Sequence, residues 1–229
     1  EIYLHNWQNG YQHKNTPLAK RMIEDYDKSL YFAKESERGR SDILNLTVDF
    51  KTTAFSSKKN KEDILKIELS EKLKPNDSII INATYTVKIP DAKFTKYGKT
   101  NTGYYLKYWY LTPAVFTNSW QTMNNLNIDD LFTEATNYNI KLTTDQNYFT
   151  TSNLEKANST QKETVLTGKN KREAVLILDT SQNFTNYITE NYTIKTNINL
   201  KDLSPKLTKD ILNREISFIE SYLGKYPHQ

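Results

Sequence analysis

Ile79-Ile80-Ile81-Asn82-Ala83-Thr84-Tyr85-Thr86-Val87-Lys88-Ile89 decides the fold class. Ile79, Ile81, Ala83, Tyr85, Val87 and Ile89 form one set of alternate positions, and Asn82, Thr84, Thr86 and Lys88 fall in the other. A period of two sends one set to a buried face and the other toward water, and the β-branched and aromatic content suits a pleated strand. Working outward, Leu65, Ile67 and Leu69 repeat the pattern, as do Leu44, Leu46, Val48 and Phe50. Between the two nearer strands lies Lys74-Pro75-Asn76-Asp77-Ser78, a run of turn formers that predicts a hairpin. Further strands are expected over 104–111, 138–143, 164–166, 174–178 and 192–200. So many strands without intervening helices predict a mostly β chain built as an antiparallel β-sandwich.

Two segments depart from that pattern. Thr16-Pro17, followed by Leu18, Met22, Ile23 and Tyr26, reads as an N-cap, a proline at the first helical position and an apolar stripe. A short helix near 17–28 follows. Ser204-Pro205 opens a second helix over 205–223, with Leu207, Ile211, Leu212, Ile219, Tyr222 and Leu223 on one stripe and Gly224 and Pro227 as stops. The change of pattern predicts a domain boundary near 203, separating residues 1–203 from 204–229.

Composition narrows the chemistry. The 229 residues carry 31 Lys and Arg against 27 Asp and Glu, interspersed along the chain, which describes a solvated surface and not a nucleic-acid footprint. The chain has no cysteine, so disulfides and cysteine ligands or nucleophiles are excluded. No stretch approaches the roughly 20 apolar residues of a membrane helix, and no transmembrane segment is expected. The opening Glu1-Ile2-Tyr3 lacks a positive and apolar leader and reads as mature or internal sequence.

Motifs of catalysis are missing. A zinc site of the H-E-x-x-H kind needs two imidazoles one helical turn apart, whereas the histidines here are His5, His13 and His228 and read as surface residues. Asp129-Asp130 is the one adjacent pair of aspartates and reads as a solvated loop. The aromatic run Tyr104-Tyr105 and Tyr108-Trp109-Tyr110 divides by alternation: Tyr104, Leu106, Tyr108 and Tyr110 face the core, and Tyr105, Lys107 and Trp109 the other side.

Three segments, in order, resemble one family. Ile2-Tyr3-Leu4-His5-Asn6-Trp7-Gln8-Asn9-Gly10-Tyr11 with Asn15-Thr16-Pro17-Leu18-Ala19 is similar to a stretch in the first domain of bacterial aminopeptidase N-like gluzincin zinc metallopeptidases, and Glu37-Arg38-Gly39 continues it. Tyr105-Leu106-Lys107-Tyr108-Trp109-Tyr110-Leu111-Thr112-Pro113-Ala114-Val115-Phe116, with Trp120 beyond, resembles a second stretch of that domain. Tyr222-Leu223-Gly224-Lys225-Tyr226-Pro227 resembles the end of the first helix of the catalytic domain.

The resemblance implies a saddle-like, non-catalytic amino-terminal β-sandwich with its opening strands missing, followed by the start of a catalytic domain. It implies a parent that hydrolyses an amino-terminal residue from a peptide with zinc-activated water and a glutamate base, and it places the zinc and its ligands beyond Gln229. The fragment would hold no cofactor and would partner its own catalytic domain, covering the cleft that takes the peptide, in a cell-envelope or secreted setting. Tyr108, Trp109 and Trp120 are the implied substrate-binding residues. Tyr108 stands where the family has the glutamine that holds the substrate's amino end, Leu111 where it often has proline, and Ser119 where it usually has glycine. The alternative from another class is a stand-alone β-sandwich module that holds glycan or protein on sheet-face aromatics.

Overall fold

The computed structural model describes residues 1–58, 60–127, 131–160, 162–181, 184–189, 191–197 and 203–225. Asp129, Asp130, His228 and the 198–200 end of the last expected strand lie outside the described residues. Strand occupies 40% of the chain and helix 17%, so the protein is mostly β, as the alternating segments predict. It divides into two compact units, Glu1–Asp179 and Thr180–Gln229; the boundary expected near 203 falls inside the second.

In the first unit β1 (Ile2–His5) precedes a 3-10 turn, Trp7–Tyr11, and helix α1 (Pro17–Glu24), after which come β2 (Arg40–Val48), β3 (Lys51–Thr52), β4 (Phe55–Lys58), β5 (Lys61–Ile67) and β6 (Ile81–Lys88). Short strands β7 (Gly98–Lys99), β8 (Gly103–Leu106), β9 (Thr112–Pro113), β10 (Val115–Phe116) and β11 (Trp120–Gln121) follow. The unit closes with β12 (Thr136–Thr143), β13 (Phe149–Ser152), β14 (Glu155–Ser159), β15 (Glu163–Lys171) and β16 (Leu176–Asp179).

These strands build two packed pairs of sheets. Sheet β4-β5-β1-β9 and sheet β3-β2-β6 share the core of Ile2, Leu4, Leu46, Leu65 and Ile67. Sheet β13-β16-β8-β7 and sheet β12-β15-β14 share Leu106, Leu154, Leu166, Leu176 and Leu178. Among the described residues the pairings between these strands are antiparallel. Each such buried aliphatic side chain stabilises by about 1.5–3 kcal/mol, which is why the inward positions of the alternation specify the register. The β10–β11 hairpin carries Phe116 opposite Trp120.

The hairpin expected at 74–78 does not form. The turn is present, with Asp77 N–H donating to Lys74 O (3.1 Å) and Asn76 in the left-handed region (φ 68). It leads from β5 in one sheet to β6 in the other: β5 pairs with β1 and β4, whereas β6 pairs with β2. Alternation fixes which face of each strand is buried but not which strand lies beside it, and the connection is long enough to change layers.

Helix α1 starts where predicted. Thr16 Oγ1 accepts from Ala19 N–H (3.2 Å) and donates to Gly10 O (2.6 Å), and Leu18, Ala19 and Met22 pack with Tyr11, Leu30 and Phe94. It ends earlier than expected: Tyr26 enters the left-handed region (φ 64), leaves the apolar stripe and is exposed.

The second unit contains the hairpin of β17 (Thr185–Ile188) and β18 (Thr193–Thr196) and helix α2 (Pro205–Leu223). Ser204 Oγ accepts from Leu207 N–H (3.2 Å), Gly224 takes φ 80 at the other end, and Tyr192 Oη donates to Glu220 Oε1 (2.6 Å). Leu207, Phe218, Ile219, Tyr222 and Leu223 are exposed on α2.

Candidate functional site

The segment after β1 and the segment after β8 meet, although about a hundred positions separate them. Leu4 pairs with Pro113 and His5 with Thr112 where β9 joins the sheet edge beside β1. The chain then winds through the 3-10 turn, which buries Trp7, Gln8, Gly10 and Tyr11. Trp7 and Tyr108 meet in a T-shaped arrangement at 5.0 Å between ring centroids and an interplanar angle of 79°, and Leu131 completes the cluster.

Met123–Asn125 is latched onto this frame from three sides. His5 Nε2 accepts from Met123 N–H (3.2 Å), and Trp7 Nε1–H donates to Met123 O (3.1 Å). Asp63 Oδ1 accepts from Asn124 Nδ2 and Oδ2 from Asn125 N–H, each at 2.6 Å. Asn125 Nδ2 in turn donates to Trp7 O (3.3 Å). The expectation of surface histidines fails at His5, which is 1% exposed. Burial disfavours its charged form and pushes its pKa down to about 4, which keeps Nε2 an acceptor. Burial also raises the Asp63 carboxyl, against the opposing effect of its Asn124 and Asn125 donors.

Beside this frame opens a cleft of about 360 Å³, lined among the described residues by Trp7, Gln8, Tyr97, Tyr105, Tyr108 and Asn125 with others. Lys107 Nζ sits 5.0 Å from the Tyr108 ring centroid and 5.8 Å from that of Tyr97, and pairs with Glu173 at 3.3 Å. Gln8 Nε2 makes a long contact to Tyr108 O (3.4 Å), while its buried Oε1 meets no donor among the described residues.

The three residues nominated from sequence are not brought together. Strand β8 ends at Leu106, and Tyr108 takes φ 50, so the alternation extrapolated through 104–111 breaks before it reaches Trp109. Tyr108 is 7% exposed and packs on Trp7, where a substrate-facing tyrosine would be open to solvent. Trp109 packs edge-on to Tyr110 (5.3 Å) against the second pair of sheets. Tyr110 there donates to Tyr138 Oη (3.1 Å) and accepts from Ala174 N–H (3.0 Å). Trp120 lies on the first pair, between Tyr3 (5.8 Å) and Phe116 (5.2 Å).

Sequence reasoning passes over Gln8, Asp63 and Asn125. Asp63 leaves one trace, a charged residue directly before the apolar pair Ile64-Leu65; Gln8 sits in the 3-10 turn and Asn125 in a loop, neither of them within a periodic pattern. Among the described residues no three His, Asp or Glu side chains are grouped to hold a metal ion, and no helix is long and apolar enough to cross a membrane. Comparison with protein-family models, with curated proteins and with solved structures returns no match to this chain.

Proposed function

We propose that the chain is the non-catalytic amino-terminal β-domain of a zinc metallopeptidase of the aminopeptidase N type, and that it covers and shapes the substrate cleft of a catalytic domain carried on the same polypeptide. One observation supports this most. The two long segments that carry the resemblance, 2–19 and 105–120, are joined by the β1–β9 pairing and the Trp7–Tyr108 contact into one buried frame, from which the 111–120 connection emerges. Segments that act together in a family are expected to be structurally coupled. The exposed apolar side chains of α2 agree with the same reading, since a helix that begins a further domain gains its packing there.

In this reading the chain contributes no catalytic group. Zinc-activated water and its glutamate base belong to the catalytic domain, and the work of these residues is positional. The His5 and Asp63 latch holds the 123–125 segment, and β9 anchors the cover at its base. Tyr108 is part of the frame, and the amino-end role drawn from its alignment is withdrawn because its ring is packed against Trp7.

The test is the native reading frame and its product. Past residue 229 it should encode H-E-x-x-H on a helix with a distal glutamate, and the longer protein should hydrolyse an aminoacyl reporter in a way that chelation abolishes and zinc restores. A frame without that motif, or a longer protein with it but no zinc-dependent hydrolysis, overturns the proposal.

A further inference from the structure

We infer that the chain associates with a second copy of itself through the open edge of β6, the two strands pairing antiparallel so that sheet β3-β2-β6 continues across a two-fold axis as six strands. The inference rests on this edge alone and is independent of the peptidase reading.

Strand β6 is paired on one side, with β2. Ile80 marks which backbone groups face that neighbour: its N–H donates to Asp49 Oδ1 (2.9 Å) and its carbonyl accepts from Asp49 N–H (2.8 Å). Backbone groups alternate in direction along an antiparallel strand. Those of Asn82, Thr84 and Thr86 therefore follow Ile80 toward β2, and those of Ile81, Ala83, Tyr85 and Val87 point to the open edge. Among the described residues none of these four makes a backbone hydrogen bond outside the β2 ladder. Burial agrees. Leu46 of β2, which pairs with Ala83, is 1% exposed, whereas Ile81, Ala83, Tyr85 and Val87 on the same face are only half-buried.

Proteins guard sheet edges with charge, proline, a bulge or a short strand. The other edges of these sheets are guarded: β3, β7 and β9 have two residues each and β4 and β13 four, while β14 carries Glu155 and Lys156 and β12 carries Lys141. From Ile81 to Val87, β6 has neither charge nor proline, and the bulge in its ladder, between Ile43 and Asn45, lies on β2. An unguarded edge of this length is a template for another strand.

The strand's own sequence fits it. A two-fold register centred on Thr84 keeps the inward side chains inward in both copies. It sets Ala83 opposite Tyr85 of the second copy and Ile81 opposite Val87, so the one large ring meets the smallest side chain. The Tyr85 hydroxyl accepts from Leu111 N–H (3.3 Å), which holds that ring on the inward side. On the outer face Asn82 meets Thr86 and Thr84 meets its own copy, all of them exposed and uncharged. Lys88 falls opposite Ile80, so no like charges meet. A foreign strand would find no charge here to select it, whereas a second β6 matches in face, size and charge along its length.

Sedimentation equilibrium of the 229-residue chain from micromolar to millimolar concentration tests this. Its weight-average mass should rise from 26.8 kDa toward twice that value. Proline is tolerated on an edge strand where its missing N–H faces outward, so Ala83→Pro should keep the circular dichroism and melting of the parent and lose the dimer. Thr84→Lys and Thr84→Glu, solvent-facing in the monomer, should each weaken association by about fivefold, and an equal mixture of the two should restore it. This charge pair carries the test should Ala83→Pro fold poorly. A mass that stays at 26.8 kDa throughout overturns the inference, as does association undiminished in the folded variants. A dimer lost in Leu223→Asp but kept in the β6 variants runs through α2 and overturns it as well.

Discussion

At the scale of single residues, His5 ties pH to the latch on 123–125. Its folded pKa lies near 4, below the ordinary 6.5, so the folded state binds fewer protons than the unfolded chain between those values. Stability from this group is therefore complete above pH 6.5 and is lost as pH falls toward 4, by about 3 kcal/mol at the limit. Protonation would also turn Nε2 from acceptor to donor, facing the Met123 N–H that now donates to it. Asp63 has the opposite sign. Its folded pKa is raised, so its neutral form is favoured by the fold and stability from it is lost as pH rises through the carboxylate range. Urea unfolding at pH 7 and at pH 4.5 should thus show an acid-side loss that His5→Asn largely removes, and an equal loss in the variant would show that other groups carry it. Gly103 gives a second, steric prediction. A Cβ there would lie 1.8 Å from Leu178 O, in the β8–β16 ladder where Gly103 pairs with Asp179. Because the obstacle is backbone and cannot rotate away, Gly103→Ala should cost about 3 kcal/mol in urea unfolding. A change below ~1 kcal/mol would mean that the ladder yields.

At the scale of elements, helix α2 is well begun and well ended but thinly packed. Ser204 caps it, Pro205 occupies its first turn and Gly224 ends it, while Phe218, Ile219, Tyr222 and Leu223 are exposed. An isolated helix of this length is marginal in water and draws most of its stability from packing. Its amides should therefore exchange with solvent orders of magnitude faster than those of β2 or β15, and Leu223→Asp should alter stability by less than ~0.5 kcal/mol. Strong protection of α2 in a monomer would contradict this. The cap signals of both helices were legible because they are local: a hydroxyl, a proline and a stripe within one turn of each other. Period-two alternation made β2, β5 and β6 legible for the same reason. Partnership between strands was not, since the 74–78 turn reads alike whether it closes a hairpin or carries the chain from β5 in one layer to β6 in the other. The candidate site was less legible still. The aromatic run was visible, but one left-handed residue, Tyr108, separates its members among different clusters, and nothing in an aromatic side chain announces a positive φ. Gln8, Asn125 and Asp63 acquire meaning only when positions about 60 to 120 apart in the chain come together.

At the scale of the whole molecule, the distribution of burial is the main physical asymmetry. The hydrophobic side chains buried among the described residues, from Ile2 to Leu178, all belong to the first unit, and the four clusters they form lie within Glu1–Asp179. The described part of the second unit contributes one hairpin and α2, and a two-stranded hairpin alone is at best marginally stable. A chain ended at Asp179 should consequently fold by itself, at a size typical of independent domains, and melt within a few degrees of the 229-residue chain, since all four buried clusters are retained. The complementary piece, 180–229, should show no cooperative transition. Differential scanning calorimetry of the two pieces and the parent decides the matter. If 1–179 were to lose its transition, or 180–229 to melt cooperatively, stability would be shared between the units, and α2 would be a structural part of this β-rich body. If instead the transition stays with 1–179, α2 is left without a core of its own and with Phe218, Ile219, Tyr222 and Leu223 exposed, the condition in which a helix is stabilised by what it joins.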